Sequence, residues 1–418
     1  MAAAGLKPRW GQPLTGIISF ICFLGIALFL WFIFSDPRGP VKSFPYPFVM
    51  YLAMMILVGV VWHLLLGDWP FQDMKQPARG IVQTLLAVFI SWFVIHIVFY
   101  KLFGLGLNFM SQDNLNVLAA AGQAGTFDLA TMKANHFAES AVVCFVLMGF
   151  FTYPFATILF AKWPVRPSDL PQPQAGLLEI AWCSFWTLIA YVVLIVPFWG
   201  LVFGTSCGTS FGLNTPWWGG IAGFNHLHWV FGWWEWSIVI LFMTANVWRM
   251  KPWTLIKLAQ PMKGLVSVVI IMVVSYIIAL LCVKIAPLWL PQDVIHHLQQ
   301  AKPNDAELLR FLWYHSAEIA GFSLIFFLAW HHYFDDMGPM EDKDSWAGFW
   351  FRTVGVIVLS AISYILFYYL GWGEWALGNP HWEHKFVYGE SLVWNFWWII
   401  PLLYNEWFFH KWPFYVHE

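Results

Sequence analysis

The chain has 418 residues, 60% of them hydrophobic and only 11% charged, with a formal net charge of −2 and a mean hydropathy of +0.64. Soluble domains carry roughly 25% charged residues, so a soluble enzyme is excluded, and the near-neutral charge excludes a nucleic-acid partner. Apolar runs of about 18 residues or more recur along the whole length, which reads as a multi-pass membrane protein whose surroundings are lipid bilayer.

The first apolar run, 14–35, is too long for a cleavable signal peptide and lacks a small-residue cleavage site. Just before and inside it stands Gln12-Pro13-Leu14-Thr15-Gly16. The phrase returns as Gln76-Pro77-Ala78-Arg79-Gly80, Gln172-Pro173-Gln174-Ala175-Gly176 and Gln260-Pro261-Met262-Lys263-Gly264, with a worn copy at Ser345-Trp346-Ala347-Gly348. Proline is tolerated in a first helical turn because its missing N–H would have no partner there. Glycine lets a neighbouring helix come close. Trp69-Pro70, Trp163-Pro164 and Pro252-Trp253 precede three of the copies, and Trp412-Pro413 closes the chain.

Spans fit at 14–35, 47–67, 80–104, 138–161, 176–203, 228–248, 263–288, 311–333, 350–371 and 389–409. The expected fold is therefore an all-α integral membrane domain over 1–418. It has ten helices in five degenerate two-helix repeats, at 12–75, 76–171, 172–259, 260–344 and 345–418. Eleven residues after the phrase glycine comes Ser91 in the second repeat and Ser275 in the fourth. Ser363 is expected at that depth in the fifth, and the third has no serine there. Basic residues gather on the Gln-Pro side, among them Lys7, Arg9, Lys75, Arg79, Lys162, Arg249, Lys263 and Lys411. By the positive-inside rule both termini are expected in the cytoplasm, beneath a bacterial-type inner membrane.

Ionisable groups inside a span are costly and point to function. The returning helices begin with related phrases. His136 and Glu139, His226 and His228, His315 and Glu318, and Glu390 fall near their outer ends. His-x-x-Glu spacing puts both side chains on one helical face. If these positions share a level and a centre, they suit a transition metal or a haem, since imidazole favours zinc, copper, iron and nickel. The competing reading has each His bonded to a loop carbonyl and each Glu stabilising a helix N-terminus. A second level near the cytoplasm holds His63, His331, His332, Glu406 and His410. Glu235, two turns deeper than His228, is the best candidate proton carrier between the levels. His96 reads as a packed, hydrogen-bonded residue.

Thirty Trp and forty Phe exceed what two interfacial belts need. They serve either as packing or as walls for a quinone or an apolar substrate. Five cysteines without paired spacing indicate neither disulfides nor zinc. No P-loop, dinucleotide fingerprint, haem-attachment motif or nucleophile elbow is present. Three readings follow. One is a redox or metal-dependent membrane subunit, fed by a quinol or a redox partner subunit. Another is a secondary transporter or channel using the same His and Glu residues for proton or ion coupling. The last is a structural subunit of a larger complex.

Overall fold

The structure is a computed structural model that describes residues 6–36, 38–41, 48–103, 145–146, 148–165, 170–190, 224–301, 306–338, 342–377 and 390–417. It is mostly helical. The helices are α1 (Leu14–Phe34), α2 (Phe48–Val60, wound on as a π-helix over Val61–Leu65), α3 (Ala78–Phe93, continued by a π-helix over Val94–Phe103) and α4 (Met148–Leu159). They continue with α5 (Gln174–Ile189), α6 (Phe224–Ala245), α7 (Met262–Ile285), α8 (Gln292–Ala301) and α9 (Ala306–His332). The last three are α10 (Trp346–Tyr368), α11 (Trp372–Leu377) and α12 (Glu390–Trp407). Among the described residues, five stretches are long and apolar enough to cross a membrane: Leu14–Phe34, Ala78–Phe99, Met262–Leu288, Phe311–His332 and Trp346–Tyr368. Two short strands, β1 (Leu6–Pro8) and β2 (Tyr415–His417), pair antiparallel and bring the two ends of the chain together.

The helices fall into two environments. α1, α3, α5, α7 and α10 each bury one narrow stripe. In α1 it is Gly16, Ser19, Phe23, Ala27 and Trp31; in α3, Gly80, Gln83, Ala87 and Ser91; in α5, Gly176, Glu179, Cys183 and Thr187. Steps of three and four residues trace one face of a helix. Most of that face is small or polar, with Phe23 and Trp31 of α1 as exceptions, while other large apolar side chains, such as Ile21, Phe29, Leu85, Val269 and Ile357, point away from the protein. Lipid is as apolar as leucine, so association rests on close packing and hydrogen bonds between small faces.

α9 and α12 are buried nearly all round. α2, α4, α6, α9 and α12 close into an inner ring, with close approach at each seam. A Cβ on Gly149 of α4 would lie 2.7 Å from Leu57 of α2, and one on Gly59 of α2 would lie 2.8 Å from Trp407 of α12. Gly321 of α9 meets Leu392 of α12, and Gly232 of α6 meets the Trp313 carbonyl of α9. Phe151 and Trp234, with ring centroids 5.3 Å apart, join α4 to α6. Indole N–H groups tie helices together: Trp233 donates to the Met272 carbonyl, Trp236 to Ser316, Trp248 to Thr353 and Trp397 to Ser35. These tryptophans pack and bond to protein, which a buried indole needs.

The Gln-Pro phrase is a two-way joint. Each Gln Oε1 accepts from the phrase glycine N–H, over 3.1 to 3.4 Å. Each Gln amide donates to a carbonyl at the end of an inner helix: Gln12 to Tyr333, Gln76 to Phe408, Gln172 to Leu65 and Gln260 to Leu159, all within 3.0 Å. In the worn copy the two halves separate. Ser345 Oγ accepts from the Gly348 N–H, and Arg352 Nε donates to the Val247 carbonyl over 2.8 Å. Helix ends leave carbonyls unsatisfied, and these donors fill them. Each inner helix then turns through two left-handed residues, beginning at Gly67, Ala161, Arg249, Asp335 and His410. The five bonds join the starts of α1, α3, α5, α7 and α10 to the ends of α9, α12, α2, α4 and α6 respectively, so each outer helix caps a different inner helix.

Three sequence expectations are refined here. The proline stands at the N-cap, after a cis Gln–Pro bond, rather than inside the first turn. In the third unit Thr187 occupies the depth expected of a serine, fully buried and bonded to the Cys183 carbonyl. In the fifth, Ser360 and not Ser363 lies on the buried stripe. The segment 105–135 lies outside the described residues. The other long loop forms α8, which buries Val294 and Leu298 and leaves His296 and His297 exposed.

Candidate functional site

A cavity of about 60 Å3 lies on the axis of the inner ring, lined by all five inner helices. Its register is regular. The residue eleven positions before the first left-handed residue of each turn is Ile56, Phe150, Ile238, Leu324 or Ile399, and all five line the cavity. Equal helix lengths from equal turns bring these side chains to one layer. Fourteen positions before the turn, Ala53, Glu235 and Phe396 also line the cavity, while Gly321 of α9 does not. Glu235 is the only ionisable residue among the described lining residues. It is 2% exposed, and its Oε1 has no hydrogen-bond partner among the described residues. Burying a carboxyl without partners is costly, so such a group binds a proton or awaits water or an ion.

At the turn end of the same ring, four positions before the left-handed residues, stand His63, His331 and Glu406. Glu406 Oε1 lies 3.2 Å from His332 Nδ1, and Oε2 lies 3.5 Å from Lys411 Nζ. The His63 ring stacks on Trp407, with centroids 5.9 Å apart, and Trp407 lines the cavity. His331 and His332 meet edge to face at 4.9 Å. The structure thus brings His63, His331, His332 and Glu406 near one another at the turn ends of α2, α9 and α12.

Two carboxylates outside the spans organise this cluster. Asp68 takes the His63 Nδ1 at 3.3 Å, His410 at 3.4 Å and a near-buried Arg79 at 2.7 Å. Burial pushes its pKa up, but the hydrogen bonds from His410 and His63 and the Arg79 charge outweigh that and hold it well below the usual carboxylate range. Asp336 takes His331 Nδ1 at 3.0 Å and Arg249 at 3.0 Å, and it too is lowered against the effect of burial. Asp68 and Arg79 were not among the site residues expected from the sequence. The signal was there: His63 and Asp68 are five residues apart, as are His331 and Asp336, and both pairs make the same bond across a helix end.

The outer level is different. His315 Nδ1 lies 2.7 Å from Glu318 Oε2, as the i, i+3 spacing implies, and both are fully buried. The pair faces α10, with His315 Nε2 bonded to the Tyr364 hydroxyl over 2.7 Å and its ring against Tyr368. Trp289 Nε1 donates in turn to Tyr364. His315 therefore points away from the axis. His136 and Glu139 lie outside the described residues. His226 and His228 fall in the first two turns of α6 and Glu390 begins α12, with side chains outside the description. Among the described residues no three His, Cys, Asp or Glu side chains converge as a metal ion would require. His96 bonds to the Tyr51 hydroxyl and packs on Trp92. No protein-family model, curated protein or solved structure matches the chain.

Proposed function

We propose that the chain is an ion-translocating membrane protein, a transporter or channel, whose path runs along the axis of the inner ring past Glu235. In this reading the fold is five successive hairpins in one orientation, ten spans in all. Both termini and all five joints face the cytoplasm of a bacterial-type inner membrane. The five joint bonds support the repeat, and the pairing of β1 with β2 supports a common side for the termini. The basic residues near the joints support the orientation.

One observation carries the functional reading. A single carboxyl, lacking a partner at Oε1, is aimed into an axial cavity that five helices line at matched heights. A structural core would fill that layer with apolar side chains, as the next layer is filled. The redox reading needs several ligands at one outer level, and the described pair His315–Glu318 is engaged with α10 instead.

The test is charge movement. Purified protein in liposomes on a solid-supported membrane should pass current under an ion gradient, and Glu235→Gln should abolish it while His315→Ala keeps at least half. No current under any gradient, together with a stoichiometric transition metal that His315→Ala releases, would replace this reading with the redox one.

A further inference from the structure

Which ion uses the axis follows from what the lining offers. A cavity of about 60 Å3 holds a few waters, since one water needs roughly 10–15 Å3. Sodium, potassium or calcium gives up its hydration shell only to a set of oxygen ligands, as a ring of carbonyls or clustered carboxylates provides. Here the described lining segments are helical, so most of their carbonyls are engaged in helix bonds, with Pro154 and Pro401 denying the usual donor to those of Phe150 and Trp397 alone, and Glu235 supplies the one carboxyl among the described lining residues. An anion would need donors in place of the isoleucine, leucine and phenylalanine layer. A proton needs none of these. It rides on waters and neutralises the carboxyl that receives it.

The register supplies the other end of the route. Glu235 stands fourteen residues before its turn, and the level of His63, His331 and Glu406 stands four before theirs. At 1.5 Å per residue the two levels are about 15 Å apart along the axis. Between them lie Ile56 and its equivalents, then Phe242, Leu328 and Leu403, with the cavity running through both layers.

We propose that the axial path is selective for the proton, which passes between Glu235 and the His63–His332–Glu406 cluster over waters held in the cavity. The inference rests on the reading of the axis as an ion path. Each hop breaks one O–H or N–H bond and makes another, so one positive charge crosses per proton and nothing is oxidised or reduced. The cluster donates from a His63 or His332 imidazolium or from the Glu406 carboxyl. It faces Asp68, Arg79 and His410 on the α2 and α3 side, Lys411 beside α12, and His331, Asp336 and Arg249 on the α9 and α6 side. Those charges set the pH at which it exchanges protons with the cytoplasm.

The experiment uses the full chain in liposomes loaded with a fluorescent pH dye, with the membrane potential set by a potassium gradient and valinomycin. Internal pH should follow the imposed potential, at a rate unchanged when sodium replaces external choline or gluconate replaces chloride. Glu235→Gln should bring the rate to that of empty liposomes, a loss of tenfold or more. Glu235→Asp should retain part of it, and Glu406→Gln should shift the pH at which the rate is half-maximal. Sodium or chloride flux without pH change would overturn proton selectivity and leave the transport reading standing. No flux of any ion would overturn both. Undiminished proton flux in a folded Glu235→Gln protein would remove the proposed route.

Discussion

Helices α1 and α9 are both long and apolar enough to cross a membrane, and they live in opposite surroundings. The spanning window of α1 has a mean hydropathy of 2.8 and is 22% buried; that of α9 has 1.3 and is 83% buried. The less apolar helix is the one inside. In water the order would be reversed, because burial there is driven by apolar surface. In a bilayer the apolar face is satisfied by lipid, and the interior collects glycines, hydroxyls, amides and the few carboxyls that the fold can pair. The inner ring is therefore held by fit and by hydrogen bonds, and the outer helices by their joints.

The largest effect is expected where charge is buried against the ring. Asp68→Asn leaves Arg79 buried without its counter-charge, which costs about 3–5 kcal/mol and should lower the melting midpoint in detergent more than any outer-face change. The same carboxyl gives the wild type an acid limit. Its folded pKa is depressed, so its contribution is complete above the ordinary carboxylate value and is lost as pH falls below it. Melting midpoints should fall steeply below about pH 4, and Asp68→Asn should flatten that slope. A midpoint unchanged by the substitution would mean that the cluster is not part of what holds the ring.

Glycine sharpens the contrast between layers. At Gly232 a Cβ would sit 2.5 Å from the Trp313 carbonyl oxygen, a backbone atom that cannot step aside cheaply, so Gly232→Ala should cost about 1–3 kcal/mol. Gly25 in α1 has nothing within 4 Å of that position, so Gly25→Ala should gain about 0.5–1 kcal/mol of helix propensity. Opposite shifts in the two melting curves are the result that fits; equal shifts would erase the distinction between inner and outer helices. The finest comparison tests the joints. Gln260→Ala removes the donor to the Leu159 carbonyl and the acceptor for the Gly264 N–H, for about 1–2 kcal/mol. Measured beside it, Gln172→Ala should match to within a few tenths of a kcal/mol if the joints are equivalent.

Much of this was legible in one dimension. The Gln-Pro phrases marked where helices begin, because a helix start is a local event with local chemistry. His315 and Glu318 were expected on one face, and they bond, because three residues along a helix fix that meeting. Glu235 stood out as a carboxyl within a span. The direction in which each pair looks was not legible. His315 turning to Tyr364 of α10, and Glu235 turning to the axis, depend on how each helix is rotated against its neighbours.

Length and hydropathy along the chain determined that this protein lies in a membrane as helices, because transfer into hydrocarbon is settled residue by residue. Only the tertiary structure decided which helices form the ring, that Gln12 would reach Tyr333 and Arg352 would reach Val247, and that one carboxyl would face a shared cavity. Those outcomes rest on contacts between residues far apart in sequence. Helix rotation and choice of partner cost little in lipid until a glycine seam, an indole bond or a joint selects one arrangement.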